Sequence, residues 1–408
     1  MHKRKEKRDK KQEYIILLVL GTLIALGPFS IDAYLPGFAS IAEDFETTIS
    51  QIGLTLTSYF IGISIGQLAY GPIMDKYGRK KPLLIGLAIY FISALSCMYS
   101  PNLEWLIISR FSLAIGAAAG MVAAKAIVRD IFPVNEIAGA ISILMLIMGG
   151  APIIAPTVGS FIIDSYGWET IFLFLAIFCL IMILSVTRFL PESIVPDRKV
   201  DLKPKQVAIK YYGILTHNKF WSFAISGSFA IGAMFAYISD APKLFIGNFN
   251  LSQKEFGLLF GLNAGGLILG SQINRLFLRK YTTLQITLFN SILLVFLSGL
   301  FLMNAILGYG LITTAILLFL ILFLLGFQNP NTTALSLEPF EKKAGRASAL
   351  IGSLKMIFGA LTSFAVSIFH TSSAVPLGCI LLICFFVSFW MLYRFSKKES
   401  ESPVLSKT

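Results

Sequence analysis

Twelve stretches of this 408-residue chain are apolar for roughly the 20 residues that a helix needs to cross a bilayer core. They begin near Tyr14, Ile49, Pro82, Leu103, Glu136 and Trp168 and, after a polar stretch, near Phe220, Gln253, Thr283, Tyr309, Ala344 and Ser373. Such a chain has few options. The hydrocarbon core offers no water to backbone N–H and C=O groups, so each stretch must satisfy them internally, as a helix. Only 14% of the residues are charged, against about a quarter in a soluble domain. The sequence predicts an all-α membrane protein with twelve transmembrane helices, here spans 1 to 12.

The basic residues give the orientation. Short loops rich in Lys and Arg stay in the cytoplasm. Of the 34 Lys and Arg, all but Arg110, Lys125, Lys243, Lys254 and Lys355 fall in the two tails or near the loops that follow even-numbered spans. The outer segments "PGFASIAEDFETTISQ", "SPNLEW" and "DSYGWE" hold none. Both termini are therefore expected on the cytoplasmic side of the membrane. The net charge of +12 becomes a topology signal, and no nucleic-acid partner is expected. The basic head "MHKRKEKRDKKQEY" lacks a following small-residue cleavage site, so the first apolar run is read as span 1.

The polar connection divides the chain into six spans and six. The expected organisation is a basic N-tail over 1–13, a six-helix bundle over 14–190, a cytoplasmic linker over 191–218, a second bundle over 219–395 and a C-tail over 396–408. Two faint repeats link the halves: "SIDAYLPGF" with "YISDAPKLF", and "GPIMDKYGRKK" with "GSQINRLFLRK". The second pair sets Asp75 over Asn274 and Lys80 over Arg279. Two six-helix repeats around a central site describe a transporter working as a monomer by alternating access. Phosphate-binding loops, metal-ligand spacings and a soluble segment long enough for a catalytic domain are all missing. An enzyme, a cofactor and a metal are thus not expected. Cys97, Cys179, Cys379 and Cys384 lie in apolar runs and are read as small buried hydrophobes.

The turn between spans 2 and 3, "GPIMDKYGRKK", concentrates charge. Gly71 allows close helix approach, and Gly78 permits the tight turn. The cations suffice as a topology anchor, but Asp75 needs another reason. The stretch resembles the loop 2–3 signature of the major facilitator superfamily, G-x-x-x-D-x-x-G-R-[KR]-[KR]. "RFSLAIGAAAGMVAAKAIVRD" resembles that superfamily's span 4 motif, and "GGAPIIAPTVGSF" its span 5 antiporter motif. "GPFSIDAYLPGFASIAEDF" and "YISDAP" resemble spans 1 and 7 of the Bcr/CflA group of bacterial drug:proton antiporters. The resemblance implies export of small hydrophobic compounds such as antibiotics, driven by the proton gradient. It also implies a conformational latch formed by Gly71, Asp75, Gly78, Arg79, Lys80 and Asp130. In that latch Arg79 would pair with Asp130, and Asp75 would hold the inner end of span 11.

Ionisable groups inside spans mark functional sites by default. At about 1.5 Å per residue, Asp32, Arg110 and Asp240 each lie roughly 10 Å in from an outer end. A shared depth fits a common water-filled cavity. Burial and a nearby cation pull a carboxyl's proton affinity in opposite directions, which makes Asp32 the candidate proton carrier. The alternative for Asp32 is a local cap at the Pro36 break. For Asp240 it is a local pair with Lys243. The resemblance assigns Arg110 to proton coupling; the alternative is a structural bond to a neighbouring carbonyl. Lys355 lies near mid-membrane, where it would offset Asp32 or Asp240 or attract an anionic substrate. Gln328, Asn329 and Asn331 surround Pro330 in span 10, as cavity wall or as interhelical hydrogen bonds. Tyr34 neighbours Asp32 and could stack on an aromatic substrate. Gly149, Gly150, Pro152, Pro156 and Gly159 give span 5 a smooth face, expected to meet the glycines of span 8 across the two halves. Two other readings remain: export of an endogenous metabolite or siderophore, and a non-transporting receptor or assembly partner that keeps the fold.

Overall fold

The computed structural model describes residues 10–197, 202–308, 310–369 and 373–400. His2, His370, the expected start of span 10 at Tyr309 and the ends of both tails lie outside them. Among the described residues, twelve helices are long and apolar enough to cross a membrane. Span 1 is α-helical over Lys10–Asp32, tightens to a 3-10 turn at Leu35–Gly37 and resumes over Phe38–Asp44. Spans 2 to 6 are Ile49–Tyr77, Lys80–Met98, Leu103–Ile131, Val134–Tyr166 and Glu169–Phe189. The linker carries a short helix, Pro204–Leu215. Span 7 is Asn218–Pro242, prolonged by a π-helical turn over Lys243–Asn248. Spans 8 to 12 are Gln253–Phe277, Thr283–Leu307, Leu311–Leu337, Ala344–Ser367 and Val375–Ser400.

Local chemistry explains where these helices begin and end. Ser252 with Glu255, and Thr282 with Gln285, form reciprocal capping boxes at the starts of spans 8 and 9. Asn102 accepts the Trp105 amide at 2.9 Å to start span 4. Between spans 2 and 3, Gly78 has φ +88°, a conformation that strains any residue with a Cβ. Pro330 does not break span 10, which runs through it as one helix.

The chain separates into two compact units, Met1–Ser40 with Ser58–Val207, and Ile41–Thr57 with Ala208–Thr408. The same packing scheme recurs in each. In the first, span 1 packs on spans 4, 5 and 6, and span 3 packs on spans 4 and 6. In the second, span 7 packs on spans 10, 11 and 12, and span 9 packs on spans 10 and 12. Small residues set the closest approaches. Gly62 and Gly66 of span 2 lie against Phe111 and Ala118 of span 4. Gly270 and Gly326 bring spans 8 and 10 together.

The units depart from the expected boundaries at one place. Residues 41–57, the outer end of span 1 and the first turns of span 2, belong with the second unit. Hydroxyl contacts along one face are the cause. Thr57 Oγ1 donates to Ser363 Oγ at 3.0 Å, Ser363 meets Ser239 Oγ at 2.6 Å, and Gly53 abuts Ser367.

The glycines of span 8 approach span 10. A Cβ at Gly270 would strike the Phe323 carbonyl, and one at Gly266 would sit 3.0 Å from the Phe319 ring. Gly159 of span 5 likewise abuts the Ala33 carbonyl of span 1, whereas Gly150 faces open space. These close approaches serve packing inside each unit. The cysteines also need one correction: Cys97, Cys179 and Cys384 are buried, but Cys379 is exposed on the apolar face of span 12.

Candidate functional site

The first unit places its intramembrane charges at the outer end of span 1. Asp32 closes the α-helix just before the 3-10 turn and is 4% exposed. Among the described residues its carboxyl makes no hydrogen bond or ion pair. Two residues earlier, the Ser30 carbonyl accepts from Arg110 Nη1 at 2.7 Å. This is the structural bond weighed for Arg110 above. It uses one guanidinium nitrogen, while Nε and Nη2 are buried without an acceptor.

The Arg110 charge is held by π faces instead. Its guanidinium carbon lies 4.6 Å from the Tyr34 ring centroid and 4.6 Å from that of Tyr59. Aromatic faces carry negative potential, so a cation between two of them is stabilised without a carboxylate. Tyr34 is therefore fully buried as a stacking partner of Arg110. Tyr59 also donates to the Gly27 carbonyl at 3.3 Å, and Ser30 Oγ meets Tyr90 Oη at 2.6 Å. Both Asp32 and Arg110 lie within electrostatic reach of Tyr59. Burial of Asp32 and Arg110 replaces the open, water-lined setting expected for them. Sequence reading passed over Tyr59, whose one signal was a tyrosine deep in an apolar helix.

At the inner end of the same unit, Arg79 bridges two carboxylates. Its Nη1 donates to Asp75 Oδ1 at 2.7 Å and its Nε to Asp130 Oδ2 at 2.9 Å. The guanidinium is mostly shielded, at 12% exposure, while Asp75 is 46% exposed. Burial works against the Arg79 charge, but Asp130 and Asp75 outweigh it and hold its pKa above the usual value. The stretch after span 6 closes over this group. The Glu192 carboxylate accepts the backbone amides of Arg79 at 2.7 Å and Lys80 at 3.1 Å, at the N-terminus of span 3, where a negative charge is favoured. Ser193 Oγ donates to Asp130 at 2.9 Å, the Asp197 amide donates to the Asp75 carbonyl at 3.2 Å, and Lys80 Nζ donates to the Thr187 carbonyl at 2.9 Å. Glu192 and Ser193 were missed in the sequence. Their one signal is an acidic residue opening a basic linker.

In the second unit Asp240 is paired locally, with Lys243 Nζ at 2.6 Å, and both residues are buried. The span 10 amides divide. Gln328 accepts from Asn290 Nδ2 at 2.9 Å, and Asn331 exchanges two bonds with Asn274, at 2.9 and 3.0 Å. Those two amides are interhelical ties. Asn329 instead accepts from Lys355 Nζ at 2.6 Å, as does Thr333 Oγ1 at 2.6 Å. Asn274, which aligns with Asp75, thus ties span 8 to span 10 with neutral amides. In the first unit the corresponding tie, from span 2 to span 4, is the charged Asp75–Arg79–Asp130 bridge.

The architecture and its charge pairs meet a matching family model. The model of the Major Facilitator Superfamily covers residues 18–363. The chain belongs to the major facilitator superfamily. It is a multi-pass membrane transporter that moves a small-molecule substrate, and it is not an enzyme. A superfamily transporter of Bacillus subtilis (strain 168), YdgK, described as uncharacterized, is 34% identical over 381 residues, 91% of this chain and 93% of the relative. A bicyclomycin resistance protein homolog of Haemophilus influenzae is 29% identical over 402 residues, 97% of this chain and 99% of the relative. Among solved structures, a bacterial homolog of the human lysosomal transporter Spinster superposes with a TM-score of 0.74 at 15% identity, over 97% of this chain and 100% of that one. At that identity the likeness speaks for the superfamily fold alone.

Proposed function

We propose that this transporter is a proton-coupled antiporter that exports small hydrophobic compounds, antibiotics among them, across a bacterial cytoplasmic membrane, with both termini inside and the monomer as working unit. The relative named for bicyclomycin resistance supports the substrate class. The observation that carries the coupling is the pair of unmatched charges at the outer end of span 1. Among the described residues, the buried carboxyl of Asp32 makes no hydrogen bond or ion pair, and the buried guanidinium of Arg110 has two nitrogens without an acceptor.

Such a pair can act as an exchange element. A proton on Asp32 leaves a neutral group in an apolar wall. Loss of that proton creates a charge that the idle nitrogens of Arg110 can meet once a rearrangement brings the two groups together. Each state favours a different local geometry, and alternating access needs two geometries. The group at Arg79, closed over by Glu192 and Ser193, would set the balance between global states. Energy comes from the proton gradient, with no cofactor.

The test uses proteoliposomes carrying an imposed pH gradient, with wild type compared with Asp32→Asn. Internal pH is followed while bicyclomycin and a panel of hydrophobic antibiotics are added. Wild type should discharge the gradient with at least one compound, and the variant should lose roughly tenfold or more of that rate while still binding it. Equal coupling in the variant would remove Asp32 from the mechanism. No discharge by wild type with any compound would sink the antiporter reading.

A further inference from the structure

We propose that a groove on the surface of the first unit binds an anionic phospholipid, with its phosphate on Lys81 and Lys80 and one acyl chain laid along span 3. The groove has a volume of about 540 Å³ and is lined by Lys80, Lys81, Leu84, Ile85, Ala88 and Glu192. Lys81, Ile85 and Ala88 are exposed and follow one another at helical spacing, so they form one stripe down the span. The two lysines open span 3, and the rest of the helix's share of the lining is aliphatic. From Lys81 to Ala88 the stripe descends about 10 Å at the helical rise per residue. One leaflet of hydrocarbon is about 15 Å deep, half of the bilayer core. A groove charged at its mouth and aliphatic for most of a leaflet has the shape of a lipid's chemistry. A free inorganic anion would use the mouth alone and leave the aliphatic track bare.

The charges at the mouth favour an anion. Lys80 Nζ donates to the Thr187 carbonyl at 2.9 Å, which holds it beside span 6. Among the described residues neither Lys80 nor Lys81 pairs with a carboxylate. The Glu192 carboxylate is engaged by backbone: it accepts the amides of Arg79, Lys80 and Ser193, at 2.7, 3.1 and 3.0 Å. Two ammoniums against one engaged carboxylate leave the mouth net positive. Lysines beside a membrane attract anionic headgroups, and a zwitterionic headgroup with no net charge gains far less. Long lysine stems rest on apolar surface and carry the ammonium to headgroup level, which suits Lys81 at the top of the stripe. The site is independent of the direction and the coupling of transport.

The experiment titrates the purified full-length protein, in a neutral detergent, with dioleoyl phosphatidylglycerol or dioleoyl phosphatidylcholine. The two share their chains and differ in net charge, and native mass spectrometry counts the bound lipid. Wild type should hold phosphatidylglycerol about tenfold more tightly at its first site. Lys81→Gln should remove most of that preference, and Lys81→Arg should keep it. Ala88→Phe puts a ring into the exposed track without touching either lysine and should weaken phosphatidylglycerol about fivefold. Lys280→Gln removes an exposed cation from the second unit and should change nothing. Glycerol 3-phosphate, a headgroup without chains, should not compete at equal concentration. Thermal unfolding of each variant separates loss of the site from loss of fold. Equal binding of the two lipids by wild type, binding of neither, a preference that survives Lys81→Gln, or an equal loss in Lys280→Gln would overturn the site. Unchanged binding in Ala88→Phe, or competition by glycerol 3-phosphate, would overturn the lipid as its occupant.

Discussion

Arg110 shows what a buried charge needs. Its guanidinium has one carbonyl, two stacked tyrosine faces and two nitrogens without acceptors. Planarity is what makes this arrangement work, because a flat ion can lie between two rings while a compact ammonium cannot. Arg110→Lys should therefore lose coupled transport by about tenfold or more although it keeps the charge. Tyr59→Phe should be mild, since it removes the hydroxyl, with its 3.3 Å bond to Gly27 and its contact with Ser30, and keeps the π face. Tyr59→Leu removes the face, worth about 2 kcal/mol when desolvated, and should lower both transport and thermal stability. Gradient-driven uptake and a thermal melt of the three purified variants check the ranking; a Tyr59→Leu protein no worse than Tyr59→Phe would show that the stacking contributes nothing.

At the scale of the helices, small residues decide which pairs pack closely. Gly270→Ala puts a methyl group into the Phe323 carbonyl and should push spans 8 and 10 apart, at a cost of about 2 kcal/mol. Gly150→Ala meets nothing within 4 Å and should leave the melting temperature unchanged. A melt of the two variants in detergent tests this, and equal melting temperatures would contradict the packing described. The spans themselves were legible in the sequence because hydrocarbon thickness imposes a length. The Arg79–Asp130 pair was legible through a family motif. The partner of a glycine face was not, since small-residue spacing marks a close approach without saying to what. Nor was Glu192, because a carboxylate that binds two backbone amides leaves no trace in the residues it binds. The Gln328 and Asn331 amides were open to two readings for a related reason: a side chain's direction around a helix is fixed by packing, not by its place beside a proline.

Across the whole molecule, the two units share a packing scheme but differ in how they are tied. The first joins the inner ends of its helices by Asp75, Arg79 and Asp130, and the second by Asn274 and Asn331. Both ties lie beside basic loops. The same loops carry the orientation, on which the side of the Arg79 group depends. Substituted cysteines test it. Pro101, at the tip of the loop between spans 3 and 4, and Lys81, at the start of span 3, are both exposed and lie at opposite ends of one helix. Of the native thiols only Cys379 is exposed, so Cys379→Ser gives a quiet background. In intact cells a membrane-impermeant maleimide should label Pro101→Cys and spare Lys81→Cys, and permeabilised cells should show both. The reverse pattern would place the Arg79 group outside. Asp32 would then lie toward the cytoplasmic face, and proton entry to it, not the direction of antiport, would have to be reassigned.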